Sequence, residues 1–140
     1  MPVTHVPVTI ADAATYTVLA QNTGSRHYIP DLTATCTITL PAPKAGLWFE
    51  FLYKGVAADA QDWVITTGSD TNYYIGGLTH LDTDGNLVDS IAGDGNSNSK
   101  LTVVKPDVGT RILVECEAGG ILWTLSGYAN SVTVPSFADQ

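Results

Sequence analysis

The stretch Leu32-Thr33-Ala34-Thr35-Cys36-Thr37-Ile38-Thr39-Leu40 decides the fold. Apolar residues and threonines alternate strictly, and successive side chains of an extended strand point to opposite faces. The segment therefore reads as a β-strand with one buried face and one hydroxyl face. A helix would scatter the same residues around its circumference.

The same period of two recurs along the chain. Leu47, Phe49, Phe51 and Tyr53 form one face of a second strand, and Trp48, Glu50 and Leu52 form the other, which predicts cover on both sides. Ile112, Val114 and Cys116 alternate with Arg111, Leu113, Glu115 and Glu117. Shorter runs lie at Tyr16–Ala20, Asp62–Thr66, Leu101–Val104, Leu122–Ser126 and Val132–Val134. Between them, Gly76-Gly77, Asp84-Gly85, Asp94-Gly95 and Gly119-Gly120 supply turn residues that accept positive φ. No long window carries helical spacing free of Gly or Pro, and Val56–Ala60 has room for one helical turn at most. Many short strands with regular turns predict a single all-β domain, an antiparallel β-sandwich or jelly-roll-like barrel. Residues 1–12 are then an N-terminal arm or the first strand, and 13–140 the sandwich, with a long loop region at about 67–98 built around one or two short strands.

Two segments echo each other. Residues 38–51 and 101–114 both read strand, Pro-x-x-Gly, strand, with Pro43/Gly46 matching Pro106/Gly109; a strand bearing Trp63 or Trp123 follows each. Proline fixes φ at the turn entrance and glycine frees it at the exit, so common turn chemistry and true duplication both account for the match.

Composition narrows the function. With 140 residues the chain can bury a core without disulfides or metal. Charged residues make up 14%, against about 25% in a typical domain. The net charge of −8, with no Lys/Arg cluster, argues against nucleic acid and against anionic membranes. No stretch has the length of a membrane span, and the start of the chain has no signal-peptide pattern. Cys36 and Cys116 fall on apolar strand positions and read as buried thiols.

The chain offers little that selects an enzyme. His5, His27 and His80 stand outside any nucleophile signature, and neither a Cys-x-x-Cys nor a phosphate loop occurs. Asp82-Thr83-Asp84-Gly85-Asn86 with Asp89 resembles part of a calcium loop, although Asp-x-Asp-Gly is equally a plain turn. No catalytic residue, metal or cofactor is therefore expected. Trp48, Trp63 and Trp123 read as core or interface residues, with sugar stacking as the alternative. Tyr73-Tyr74, inside the loop region, reads as an exposed aromatic contact.

The run Ala34-Thr35-Cys36-Thr37-Ile38-Thr39-Leu40-Pro41, continuing through Pro43, Ala45-Gly46-Leu47, Phe49 and Phe51, resembles a pattern recurrent in phage virion proteins. Gly109 to Glu117, followed by Gly119-Gly120, Trp123 and Gly127, is similar to the closing motif of the same group. On these segments, spanning Tyr16 to Gly127, the chain resembles the trimeric capsid decoration (cement) proteins of tailed bacteriophages. The match fails at Thr67–Asn98. The resemblance implies a jelly-roll-like homotrimer, made in the host cytoplasm, that sits on the virion exterior and bridges major capsid protein subunits. It carries no catalytic residues. Within that reading, capsid or subunit contact falls to Pro2, Val3, His5, Val6 and Val8 of the arm, together with Tyr73 and Tyr74. A receptor- or carbohydrate-binding β-sandwich of a phage tail or fibre is the competing expectation.

Overall fold

The computed structural model describes residues 6–56 and 61–140. Among them lie twelve strands: β1 (Val8–Thr9), β2 (Thr15–Thr17), β3 (Arg26–Ile29), β4 (Cys36–Thr39), β5 (Trp48–Tyr53), β6 (Trp63–Thr66), β7 (Tyr73–Asp82), β8 (Val88–Ala92), β9 (Lys100–Val103), β10 (Arg111–Cys116), β11 (Leu122–Ser131) and β12 (Ser136–Ala138). The one helical element is a 3-10 turn at Ala20–Asn22. A seven-stranded sheet runs β1-β3-β5-β10-β11-β7-β8, and a five-stranded sheet runs β12-β9-β6-β4-β2.

The expected antiparallel pattern is corrected to a mixed one. β5, β10 and β11 pair antiparallel, as do β7 with β8 and β9 with β6 and β12. The pairs β1–β3, β3–β5, β2–β4, β4–β6 and β7–β11 are parallel. The cause is the path of the chain. From β1 to β7 it crosses between sheets at every step, so each sheet receives alternate strands that enter from the same end. Parallel neighbours need such crossovers, whereas hairpins give antiparallel ones.

The two inner faces share one core. Phe49, Phe51, Ile112, Val114, Trp123 and Leu125 come from the larger sheet, and Cys36, Ile38, Trp63, Ile65, Leu101 and Val103 from the smaller; each is almost wholly removed from solvent. Both cysteines are free and buried, and burial pushes their thiols up, so they stay protonated.

The two echoing segments fold alike through their second strand. β4–β5 and β9–β10 each pass from the smaller sheet to the larger through the Pro-x-x-Gly turn, with Gly46 at φ 88° and Gly109 at φ 92°. Each glycine N–H bonds to the far end of the other copy's strand: Gly109 to the Tyr53 carbonyl at 2.8 Å, Gly46 to that of Cys116 at 3.4 Å. After that they diverge. β6 returns to the smaller sheet, and β11 hairpins back within the larger.

Residues 67–98 are more ordered than their composition suggests. β7 is ten residues long and forms a hairpin with β8. Glycines 76 and 77 mask it in the sequence because they break the apolar alternation. Near the end of the chain, Val132–Val134 lies outside any strand and Ser136–Ala138 forms β12 instead. The helical turn expected at Val56–Ala60 falls largely on residues 57–60, outside the described residues.

Candidate functional site, the outer face of the larger sheet

One row of paired residues crosses all seven strands on the solvent side: Thr9, Tyr28, Leu52, Arg111, Tyr128, Thr79 and Ser90. The adjacent row contains Arg26, Glu50, Leu113 and Ser126, and the next Trp48, Glu115 and Thr124. These positions alternate with the core residues of the same strands, so the pleat that buries Phe49 and Phe51 presents Trp48, Glu50 and Leu52 outward. The cover expected over this second face is side chains alone, with no further layer among the described residues.

Glu50 organises the centre. It is 6% exposed, and its carboxylate accepts from Arg26 Nε on one side and from Arg111 Nη2 at 2.7 Å on the other. Burial pulls its pKa upward, but the two guanidinium groups outweigh that effect and hold the carboxyl below its ordinary value. Both arginine side chains remain almost half exposed, at 45% and 44%. Lys54 lies over the Tyr28 ring at 4.9 Å from its centre. Trp48 and Tyr128 stay 39% and 38% exposed. Arginine with half-exposed aromatic and aliphatic side chains, on a broad pleated face, is the composition of protein-contact surfaces.

The residues expected from sequence divide. Pro2, Val3 and His5 lie outside the described residues. Val6 is 75% exposed, whereas Val8 is half-buried on β1 at the edge of this same sheet. Ile10 just after it is fully buried, so the segment from Val8 acts as an edge strand rather than a free arm. Tyr73 is half-buried opposite Leu122. Tyr74 is corrected outright: it is wholly buried, with its hydroxyl donating to the Ile65 carbonyl at 3.0 Å, and no partner can reach it. Its place on β7 turns it inward, a direction that a loop assignment could not supply.

His27, His80 and the Asp82 turn lie apart from this face. His27, on β3, is buried among the rings of Tyr16, Phe49 and Phe51, and burial pushes its pKa down. His80 Nε2 lies 3.1 Å from both the carbonyl and the Oγ of Ser131, whose hydroxyl already donates to the Thr133 carbonyl. Both residues are sealed from solvent, so the pair braces the end of β11. Asp82 Oδ1 accepts the N–H groups of Asp84 and Gly85, the work of a turn. Among the described residues no cluster of three or more His, Cys, Asp or Glu is placed to hold a metal.

No family model, curated protein or solved structure matches the chain. The case for function rests on the surface itself. Sequence reasoning missed that surface because its members come from seven separate strands; the only local signal was the alternation of Trp48, Glu50 and Leu52 with the core phenylalanines.

Proposed function

We propose that this protein is a non-enzymatic virion component, a decoration protein that stabilises the exterior of a phage capsid. The observation that carries the reading is the outer face of the larger sheet, where a buried Glu50 pins two half-exposed arginines among Trp48, Leu52, Leu113 and Tyr128. Such a face suits packing against protein. In this reading the sandwich is jelly-roll-like, three copies associate through that face, and the assembled trimer bridges major capsid protein subunits. In this reading Val8 on the β1 edge strand and Val6 beside it extend the contact, and Pro2, Val3 and His5 join them. Joining three copies makes later contacts intramolecular and raises avidity by about 10²–10⁴. Binding only the assembled shell stabilises it by mass action.

The test is co-sedimentation with empty shells of the major capsid protein encoded in the same genome, alongside light scattering to count subunits. A trimer that pellets with shells supports the reading. A monomer that stays in the supernatant overturns it. The half-exposed rings of Trp48 and Tyr128 favour one alternative, a receptor- or carbohydrate-binding module of a tail or fibre. That alternative requires a glycan-array signal that Trp48→Ala abolishes.

A further inference from the structure

Four strands lie at sheet edges. β1 has two residues, and β2 and β12 have three each, short enough to deter a passing strand. β8 has five, Val88-Asp89-Ser90-Ile91-Ala92, with neither Lys nor Pro, and Val88 is 66% exposed. The bonds Asp82 N–H to the Leu87 carbonyl and Gly93 N–H to the Gly76 carbonyl, both 2.9 Å, bracket the β7–β8 ladder and fix its phase. Leu87, Asp89, Ile91 and Gly93 therefore turn their backbone groups toward β7. Val88, Ser90 and Ala92 turn theirs outward, where no strand among the described residues pairs with them. Beside this edge, Leu81, Leu87 and Val88 line a groove of about 390 Å³ together with Asp82, Thr83 and Asn86.

Charge selects the occupant. No Lys or Arg occurs between Lys54 and Lys100, while Asp82, Asp84, Asp89 and Asp94 surround the β7–β8 hairpin. Among the described residues the only ion pairs are those of Glu50 with Arg26 and Arg111, so none of these four carboxylates is paired with a Lys or Arg. Pairing β8 with β8 of a second copy would bring two acidic hairpins together.

We propose that β8 is a docking edge for an extended, Lys/Arg-bearing segment of a partner protein, which adds to the larger sheet as an eighth strand. Backbone bonds to Val88, Ser90 and Ala92 hold it, an apolar side chain fills the groove, and the flanking aspartates hold its basic ends. The inference rests on the capsid reading in one respect, which is that the segment comes from the shell protein.

The test follows amide exchange in the full chain. The probe is a seven-residue peptide alternating threonine and valine with lysine at both ends, against a glutamate-ended counterpart. At about ten times its Kd, the lysine peptide slows the amides of Val88, Ser90 and Ala92 roughly tenfold, and the glutamate peptide leaves them fast. Ser90→Pro abolishes the effect and leaves β7 protected, since that N–H points away from β7, the neighbour of β8 among the described residues. Ser90→Lys, which keeps the backbone intact, weakens the lysine peptide by offsetting part of the negative charge around the edge. No slowing, equal slowing by both peptides, or concentration-dependent slowing without peptide (a second copy on the edge) overturns the proposal. Shell co-sedimentation separates the two readings. If wild type and Ser90→Pro pellet alike, the shell is not the source of the strand while the capsid reading stands. If neither pellets, the capsid reading fails and the peptide result alone decides the edge.

Discussion

Arg111 reaches diagonally across the β5–β10 ladder to Glu50, Nη2 to Oε2 at 2.7 Å, although the register sets Arg111 opposite Leu52 and Glu50 opposite Leu113. With Arg26 reaching in from β3, one carboxylate ties three strands together on the solvent side of the sheet.

Replacing Glu50 with Gln keeps the shape and removes the charge. Two charge-assisted bonds weaken, and the expected loss is about 1.5–3 kcal/mol by urea denaturation at pH 7. The folded-state pKa lies below the ordinary carboxylate value. This part of the stability is therefore present above that ordinary value and lost as pH falls through the folded pKa. An equal midpoint for wild type and Glu50→Gln at pH 7 would contradict the assignment.

His27 works in the opposite direction. Its pKa is lowered chiefly by burial, so below the ordinary histidine value the unfolded chain takes up the proton more readily than the folded one. Stability therefore falls as pH drops from about 6.5 toward the folded pKa. His27→Phe, which fits among Tyr16, Phe49 and Phe51, flattens that part of the curve. The measurement is Tm at pH 7 and pH 5 for both proteins, and an identical pH slope in the two counts against the claim.

Asp94 closes the loop that follows β8. Its carboxylate accepts from the Ser97 hydroxyl at 2.6 Å and from the N–H groups of Asn96, Ser97 and Asn98, bonds that draw its pKa down to about 2. Loop order is complete above the ordinary carboxylate range and lost as pH falls through about 2. A carboxyl-carbon NMR titration should find this residue ionising well below the ordinary carboxylate range; a midpoint near 4 refutes the loop geometry.

Gly127 lies in β11 at φ 126°, and a β-carbon there would run into the Arg111 carbonyl. Gly127→Ala combines strain with a backbone shift, at an expected cost of about 1–3 kcal/mol. The same change at Gly109 meets open space around its β-carbon, so only the strain of its φ 92° remains. Comparing the two thermal midpoints checks the difference.

Much of the fold is legible in the sequence because burial leaves a period-two trace. The strands around Cys36, Phe49 and Val114 and the paired Pro-x-x-Gly turns could all be placed. Pairing could not, since alternation says which face a residue takes and is silent on its neighbour. Cys36 stands opposite Trp63 in a parallel pair and Cys116 opposite Trp123 in an antiparallel one, yet the local sequences look alike. The ten-residue length of β7 is not legible, because Gly76 and Gly77 interrupt it and leave the trace of a short strand among loops, and the inward turn of Tyr74 is lost with it. The outer face escaped for a related reason: Arg26, Glu50 and Arg111 are distant in sequence and meet only through the register.

The reciprocal bonds of Gly46 and Gly109 have a consequence for biogenesis. The central pair of the larger sheet joins segments about sixty positions apart, and each turn is latched by the other's strand. A nascent chain on the ribosome cannot close its middle until residues 111–116 have left the exit tunnel. Until then the β5 edge stays unpaired, and Phe49 and Phe51 lack their neighbours Val114 and Ile112.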